Sequence, residues 1–141
     1  MSHISEKIKI VACAALFAGF SACQKQPIAG IDNTQIEATF SSIQQSVLTP
    51  TCARSGCHVG NNPAGGLNLQ AGQAFGNLVN VQSREDGRKF LVQPNDAANS
   101  YLFMKIIGSG IVGARMPIGG SLSQSQINAV RDWIDGGAQD N

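Results

Sequence analysis

The residues best suited to chemistry lie in the segment from Cys52 to His58, with the sequence Cys-Ala-Arg-Ser-Gly-Cys-His. Four residues separate its two thiols, and a histidine directly follows the second thiol, Cys57. Each thiol can form a thioether bond with one vinyl group of a porphyrin, and the adjacent imidazole can then bind the iron. The segment therefore predicts covalent attachment of one haem c, with His58 as an axial ligand of the iron.

The cysteine spacing is wider than in the commonest haem-attachment motif, which has two intervening residues. A bulged loop can accommodate the two additional residues, and Gly56 gives the backbone the freedom that such a bulge needs just before Cys57. The histidine keeps its place directly after the second cysteine. The spacing is thus compatible with the same attachment chemistry.

Two other interpretations of these residues stay open at this point. A disulfide between Cys52 and Cys57 would leave His58 as a solvated neighbour, but so short a ring stabilises a fold only weakly. A structural zinc ion needs four ligands, and the only other histidine, His3, lies at the N-terminus. Haem attachment agrees best with the residue types and their order.

The N-terminal residues indicate export. Lys7 and Lys9 precede an apolar run over residues 10–20, and two small residues then lead into Cys23. A basic start, a short apolar segment and a small-residue cleavage region are typical of a bacterial signal peptide, and the run is too short to span a bilayer as a helix. We therefore expect residues 1–22 to form a lipoprotein signal peptide, with Cys23 as the acylated residue.

Lipidation at Cys23 predicts a membrane anchor on the periplasmic side of the cell envelope. By resemblance to bacterial lipoproteins, Gln24 in place of aspartate favours the outer membrane. The alternative is a cleaved periplasmic protein without lipid. The whole chain has 10 Lys plus Arg and 9 Asp plus Glu, and the signal peptide removes two lysines and one glutamate. The remaining neutral chain argues against a nucleic-acid partner, which needs clustered positive charge.

The rest of the chain predicts a tether and one helical domain. Residues 23–33 contain proline and glycine without hydrophobic periodicity, which indicates a flexible tether. We expect residues 34–141 to form a single all-α domain. Its first helix begins at Thr34, with Thr39 as the alternative start. Pro50 biases Thr49 away from helical angles, so we expect the helix to end just before the segment that starts at Cys52.

Two later helices are predicted from their start and stop signals. Asn95 or Asp96 can cap a helix that continues to Ile107 and ends at a glycine. Ser123 and Gln126 form the pattern of a capping box at the start of the last helix. A weak short helix is expected over residues 71–79, a surface loop over residues 83–89, and a long loop between the last two helices.

A second axial ligand can come from one of two methionines. Met116 lies in the long loop, where Pro117 keeps the preceding backbone extended, so its side chain can reach a neighbouring surface. Met104 lies inside a predicted helix, where methionine ordinarily fills core space. A thioether ligand stabilises ferrous iron and suits electron transfer. We prefer Met116 over Met104 because Met116 lies in a loop.

These segments together resemble the class I cytochrome c family. The chain is similar to a bacterial lipoprotein group with the CxxxxCH haem-binding motif, on the segments Gly65-Gly66-Leu67, Asn99-Ser100-Tyr101-Leu102 and Arg115-Met116-Pro117, over about residues 39–138. The resemblance implies a small helical fold around one covalently bound haem. It also implies that His58 and Met116 ligate the iron and that redox proteins are the partners.

The sequence thus predicts a membrane-tethered one-electron carrier rather than an enzyme. The alternatives are a haem protein with an open iron site that senses ligands or serves an oxidoreductase, and a haem-free binding lipoprotein with a disulfide. No second histidine is available near the iron as an acid or base, which argues against a peroxidase.

Overall fold

The computed structural model describes residues 35–141, and the regular secondary structure of that part is helical. It contains no β-strand, only two isolated bridges that join Val79 to Val92 and Gln82 to Phe90. The predicted all-α class is therefore confirmed for these residues. The helices are α1 (Phe40–Ile43), a π-helical segment (Gln44–Cys52), a 3-10 turn (Ala64–Gly66), α2 (Ala74–Leu78), α3 (Tyr101–Ile107) and α4 (Gln124–Asp135).

The first helix begins at the alternative start. Thr39 is its N-cap, and the Thr39 hydroxyl accepts a hydrogen bond from the backbone N–H of Ser42 at 3.3 Å. The helical winding ends at Cys52, within one residue of the predicted end. The expected effect of Pro50 on Thr49 is wrong, because the chain passes through both residues in the π-helical segment. The wider winding of a π-helix shifts the hydrogen bonds to i→i+5, which relieves the clash that proline causes in an α-helix.

The helix before the long loop is shorter than predicted. α3 begins at Tyr101 rather than after Asn95 or Asp96. The Asp96 carboxylate instead accepts a hydrogen bond from the backbone N–H of Asn99 at 3.1 Å, so it stabilises a turn that precedes the helix. The end of α3 is as expected, since Gly108 adopts the left-handed conformation that commonly ends helices.

The last helix confirms the capping-box prediction and supplies one side of the core. Ser123 and Gln126 form both reciprocal hydrogen bonds of the box. Trp133 of α4 is buried and packs on Phe40 of α1, with 5.4 Å between ring centroids, while Phe40 also meets Phe75 edge-on at 5.2 Å. The core therefore joins the beginning and the end of the described chain through aromatic contacts.

The predicted signal peptide over residues 1–22, the lipidation site Cys23 and the tether over residues 23–33 lie outside the described residues. Among the helices of residues 35–141, none has the length and apolar character needed to cross a membrane.

Candidate functional site

A cavity of about 270 Å³ lies among residues 52–58, here called the attachment segment, α3 and two long loops, one between α2 and α3 and the other between α3 and α4. About half of its lining residues are aliphatic or glycine, and a polar stretch lies on one part of the wall. The lining residues are Cys52, His58, Ala64, Gly65, Gly66, Leu67, Leu69, Asn77, Val81, Gln82, Ser83, Arg84, Glu85, Leu91, Tyr101, Leu102, Lys105, Ile106, Met116, Pro117 and Leu122.

Three of the four predicted haem-site residues line this one cavity. Cys52, His58 and Met116 meet there although Met116 is far from the other two in sequence. The fourth, Cys57, is exposed and does not line the cavity. The less favoured methionine, Met104, is buried and is not part of the wall. The structure therefore brings a thiol, an imidazole and a thioether together.

The attachment segment is held by backbone hydrogen bonds at both ends. Ala53 closes the π-helical segment by donating to the carbonyl of Leu48 at 2.7 Å. The N–H of His58 donates to the carbonyl of Cys52 at 3.1 Å, and the N–H of Leu69 donates to the carbonyl of His58 at 2.8 Å. These bonds fix the backbone of Cys52 and His58 next to the cavity, since each is tied to a neighbouring segment.

The His58 ring is oriented by one hydrogen bond to the 3-10 turn. Its Nδ1 lies 3.1 Å from the carbonyl oxygen of Ala64. A carbonyl can only accept, so Nδ1 carries the proton and Nε2 carries the lone pair. Hydrogen bonding of the other ring nitrogen is the usual way in which proteins orient a metal-binding histidine. The imidazole is thus prepared to bind a metal through Nε2.

The two thiols differ in their surroundings, and both are free. Burial raises the pKa of the Cys52 thiol; the hydrogen bond between Thr51 and Cys52 opposes this shift, and the nearby Cys57 adds to it. The Thr51 hydroxyl lies 3.4 Å from the Cys52 sulfur. Because the thiolate is the reactive form, Cys52 is the less reactive thiol at neutral pH.

Met116 is positioned by the helix before it. Its backbone N–H donates to the carbonyl of Lys105 at 2.9 Å, and the Nε of Arg115 donates to the carbonyl of Ile106 at 2.8 Å. Both acceptors lie in the last turn of α3, where carbonyls have no partner within the helix. The long loop is therefore fastened to α3 just where the thioether reaches the cavity.

The polar part of the wall was missed by the sequence reasoning. Arg84 and Glu85 belong to the segment predicted as a plain surface loop, and Tyr101 and Lys105 belong to α3. Lys105 is only 8% exposed. The sequence does contain a signal for the burial of Lys105. Lys105 is the single charged residue in the otherwise uncharged run of α3, and a charge in such a run is commonly buried with a partner.

The donor set agrees with haem better than with zinc. Within residues 35–141, no group of three or more His, Cys, Asp or Glu side chains is placed to hold a metal ion. An imidazole and a thioether beside a largely apolar cavity are the axial ligands of many electron-transfer haems, and a thiol at the edge can form the covalent bond. The residues present therefore fit this group.

Comparisons with known proteins add no relative. No protein-family model matches the sequence, and no curated protein and no solved structure matches it.

Proposed function

We propose that this protein is a c-type cytochrome that carries single electrons and is tethered to a membrane. Bound haem c would supply the one-electron couple of its iron. Cys52 and Cys57 would hold it covalently, and His58 and Met116 would supply ligands to its iron. The observation that carries the proposal is the convergence of Cys52, His58 and Met116 on one cavity.

The residues around the cavity explain how the chain would favour electron transfer. The Nδ1 hydrogen bond to Ala64 keeps the His58 ring in one orientation, so that the ligand does not have to rotate between oxidation states. The aliphatic side chains of Leu67, Leu69 and Leu91 line the cavity and give it an apolar surface. An apolar site with fixed ligands would change little in geometry when the charge changes, and this would lower the barrier to electron exchange.

A pyridine haemochrome assay on denatured protein tests the proposal. The protein should be produced with its natural leader in a bacterium that attaches haem c, because attachment requires export and maturation. We expect a c-type spectrum that survives acid extraction, together with a mass increase of one haem. The matched variant Cys52→Ser/Cys57→Ser should lose both signals. Colourless wild-type protein with free or disulfide-bonded thiols would refute the proposal.

The membrane tether is a separate part of the proposal. It rests on the signal-like residues 1–22 and on Cys23, which precede the described domain. Mass spectrometry of the N-terminal peptide should find an acylated Cys23 as the first residue, and the protein should fractionate with outer membranes. A Cys23→Ser variant should be released from membranes with its haem retained. Wild-type protein that is released without detergent would exclude the lipid anchor.

A further inference from the structure

One polar network joins α3 to both long loops at the cavity wall. The Nζ of Lys105 donates to the carboxylate of Glu85 at 2.7 Å and to the carbonyl of Val112 at 3.0 Å. The hydroxyl of Tyr101 donates to the same carboxylate at 3.2 Å and accepts from the N–H of Val112 at 3.1 Å. Val112, in the middle of the long loop, is thus held through both of its backbone polar groups.

The loop between α3 and Met116 approaches α3 and Glu85 closely at two glycines, Gly110 and Gly113. A side-chain atom added at Gly113 would lie 3.7 Å from the Glu85 carboxylate and 3.8 Å from the Lys105 amine. An atom added at Gly110 would lie 2.7 Å from the methyl group of Met104. Gly110 and Gly113 both have positive φ, so glycine permits the loop to fold back closely onto α3.

The burial of Lys105 shows that the network is more than a surface ion pair. The Lys105 side chain is 9% exposed while the Glu85 side chain is 47% exposed. A buried amine has to be satisfied by acceptors, and one of the two acceptors named above is the loop carbonyl of Val112. The loop therefore cannot leave α3 without exposing Lys105 or leaving it with one partner fewer.

We propose that Lys105, Tyr101 and Glu85 form a latch that holds residues 108–116 against α3 and so positions Met116 at the cavity. Lys105 acts twice in this latch, since its amine binds the carbonyl of Val112 and its own carbonyl accepts the N–H of Met116. The inference rests on the proposed function only for the role of Met116 as a ligand. The fastening of the loop is independent of haem.

Limited trypsin digestion of the purified haem protein tests the fastening, because Arg115 is a cleavage site within the loop. We compare Lys105→Leu with Lys89→Leu, a lysine outside the latch whose amine lies 3.5 Å from Asn99. Leucine is chosen because it adds no atom that can bind iron. Lys105→Leu removes the two hydrogen bonds that the Lys105 amine donates to Glu85 and Val112. This loss should speed cleavage after Arg115 at least about tenfold over the control. A rate within about twofold of the control would overturn the latch.

The ferric spectrum tests the positioning. The red-region charge-transfer band of methionine-ligated ferric haem should weaken in Lys105→Leu and remain in Lys89→Leu. Faster cleavage with an unchanged band would refute the positioning role of Lys105. If the wild type carries no haem, the proposed function fails while the digestion still decides whether the latch exists.

A milder variant decides the case in which Lys105→Leu does not fold. Tyr101→Phe keeps the ring and removes only the hydroxyl that binds Glu85 and Val112. We expect cleavage after Arg115 to rise about threefold, with little change in the thermal midpoint, because both hydrogen bonds of the Lys105 amine remain in this variant. An unchanged rate in Tyr101→Phe would overturn the latch.

Discussion

The two methionines of the domain should respond to truncation in opposite ways. Met104 is 9% exposed and packs beneath the backbone of Gly110, whereas Met116 is half-buried and lines the cavity. Met104→Ala should therefore cost stability and spare the iron ligand. Met116→Ala should remove the ligand and cost less in packing.

The magnitudes follow from burial. Truncating a buried methionine to alanine costs about 2–5 kcal/mol, and the lower half of that range applies to Met104 because an exposed loop lies over it and can collapse into the space. Such a loss lowers the thermal midpoint of a domain of this size by about 10 °C or more. The half-buried Met116 should lose about 1 kcal/mol of packing free energy.

The assay combines thermal unfolding with the ferric absorption spectrum of each variant. Met104→Ala should unfold at a lower temperature and keep the methionine charge-transfer band. Met116→Ala should lack the band, and an added imidazole should bind the opened iron position. A missing band in Met104→Ala together with a retained band in Met116→Ala would refute the assignment of the distal ligand.

Three further predictions concern the thiols, the last helix and acid. In protein isolated without haem, iodoacetamide should alkylate the exposed Cys57 faster than Cys52, whose pKa is raised by burial, and equal rates would contradict this. Ser123→Ala removes the capping box of α4 and should lower the free energy of unfolding by about 1 kcal/mol in urea titrations. The hydrogen bond from Lys105 lowers the pKa of Glu85, so the stability it gives is present above the ordinary value of 4.5 and is lost as the pH falls. Because Glu85 is 47% exposed, this effect should stay below about 1 kcal/mol, and the stability difference between wild type and Glu85→Gln should shrink as the pH falls below 4.5.

Local signals in the sequence were sufficient where one short pattern determines the structure. The capping box at Ser123 and the glycine that ends α3 were both predicted correctly, because each depends on residues within one helical turn. The sequence indicates two possible helix starts, Thr34 and Thr39. The choice between them depends on the contacts of Phe40 with distant aromatic rings, which no local pattern contains.

The errors and omissions have a common physical origin in tertiary contacts. Pro50 indicated a helix end, but the chain accommodates it by changing its winding. Asp96 has the side chain of a helix cap and stabilises a turn instead. The latch was missed because Glu85 and Lys105 are distant in sequence and meet only when two loops fold onto α3. The loop position of Met116 favours it over Met104 as the distal ligand, and Met116 lines the cavity, but its role as a ligand stays a prediction.

The π-helical segment also fixes the direction in which Cys52 projects from the helix axis. An i→i+5 ladder accommodates one more residue per hydrogen-bonded ring than an i→i+4 ladder, so each residue advances by a smaller rotation than in an α-helix. Over the nine residues from Gln44 to Cys52 this difference in rotation adds up. An α-helix of the same length would therefore present the Cys52 sulfur on a different side of the helix axis.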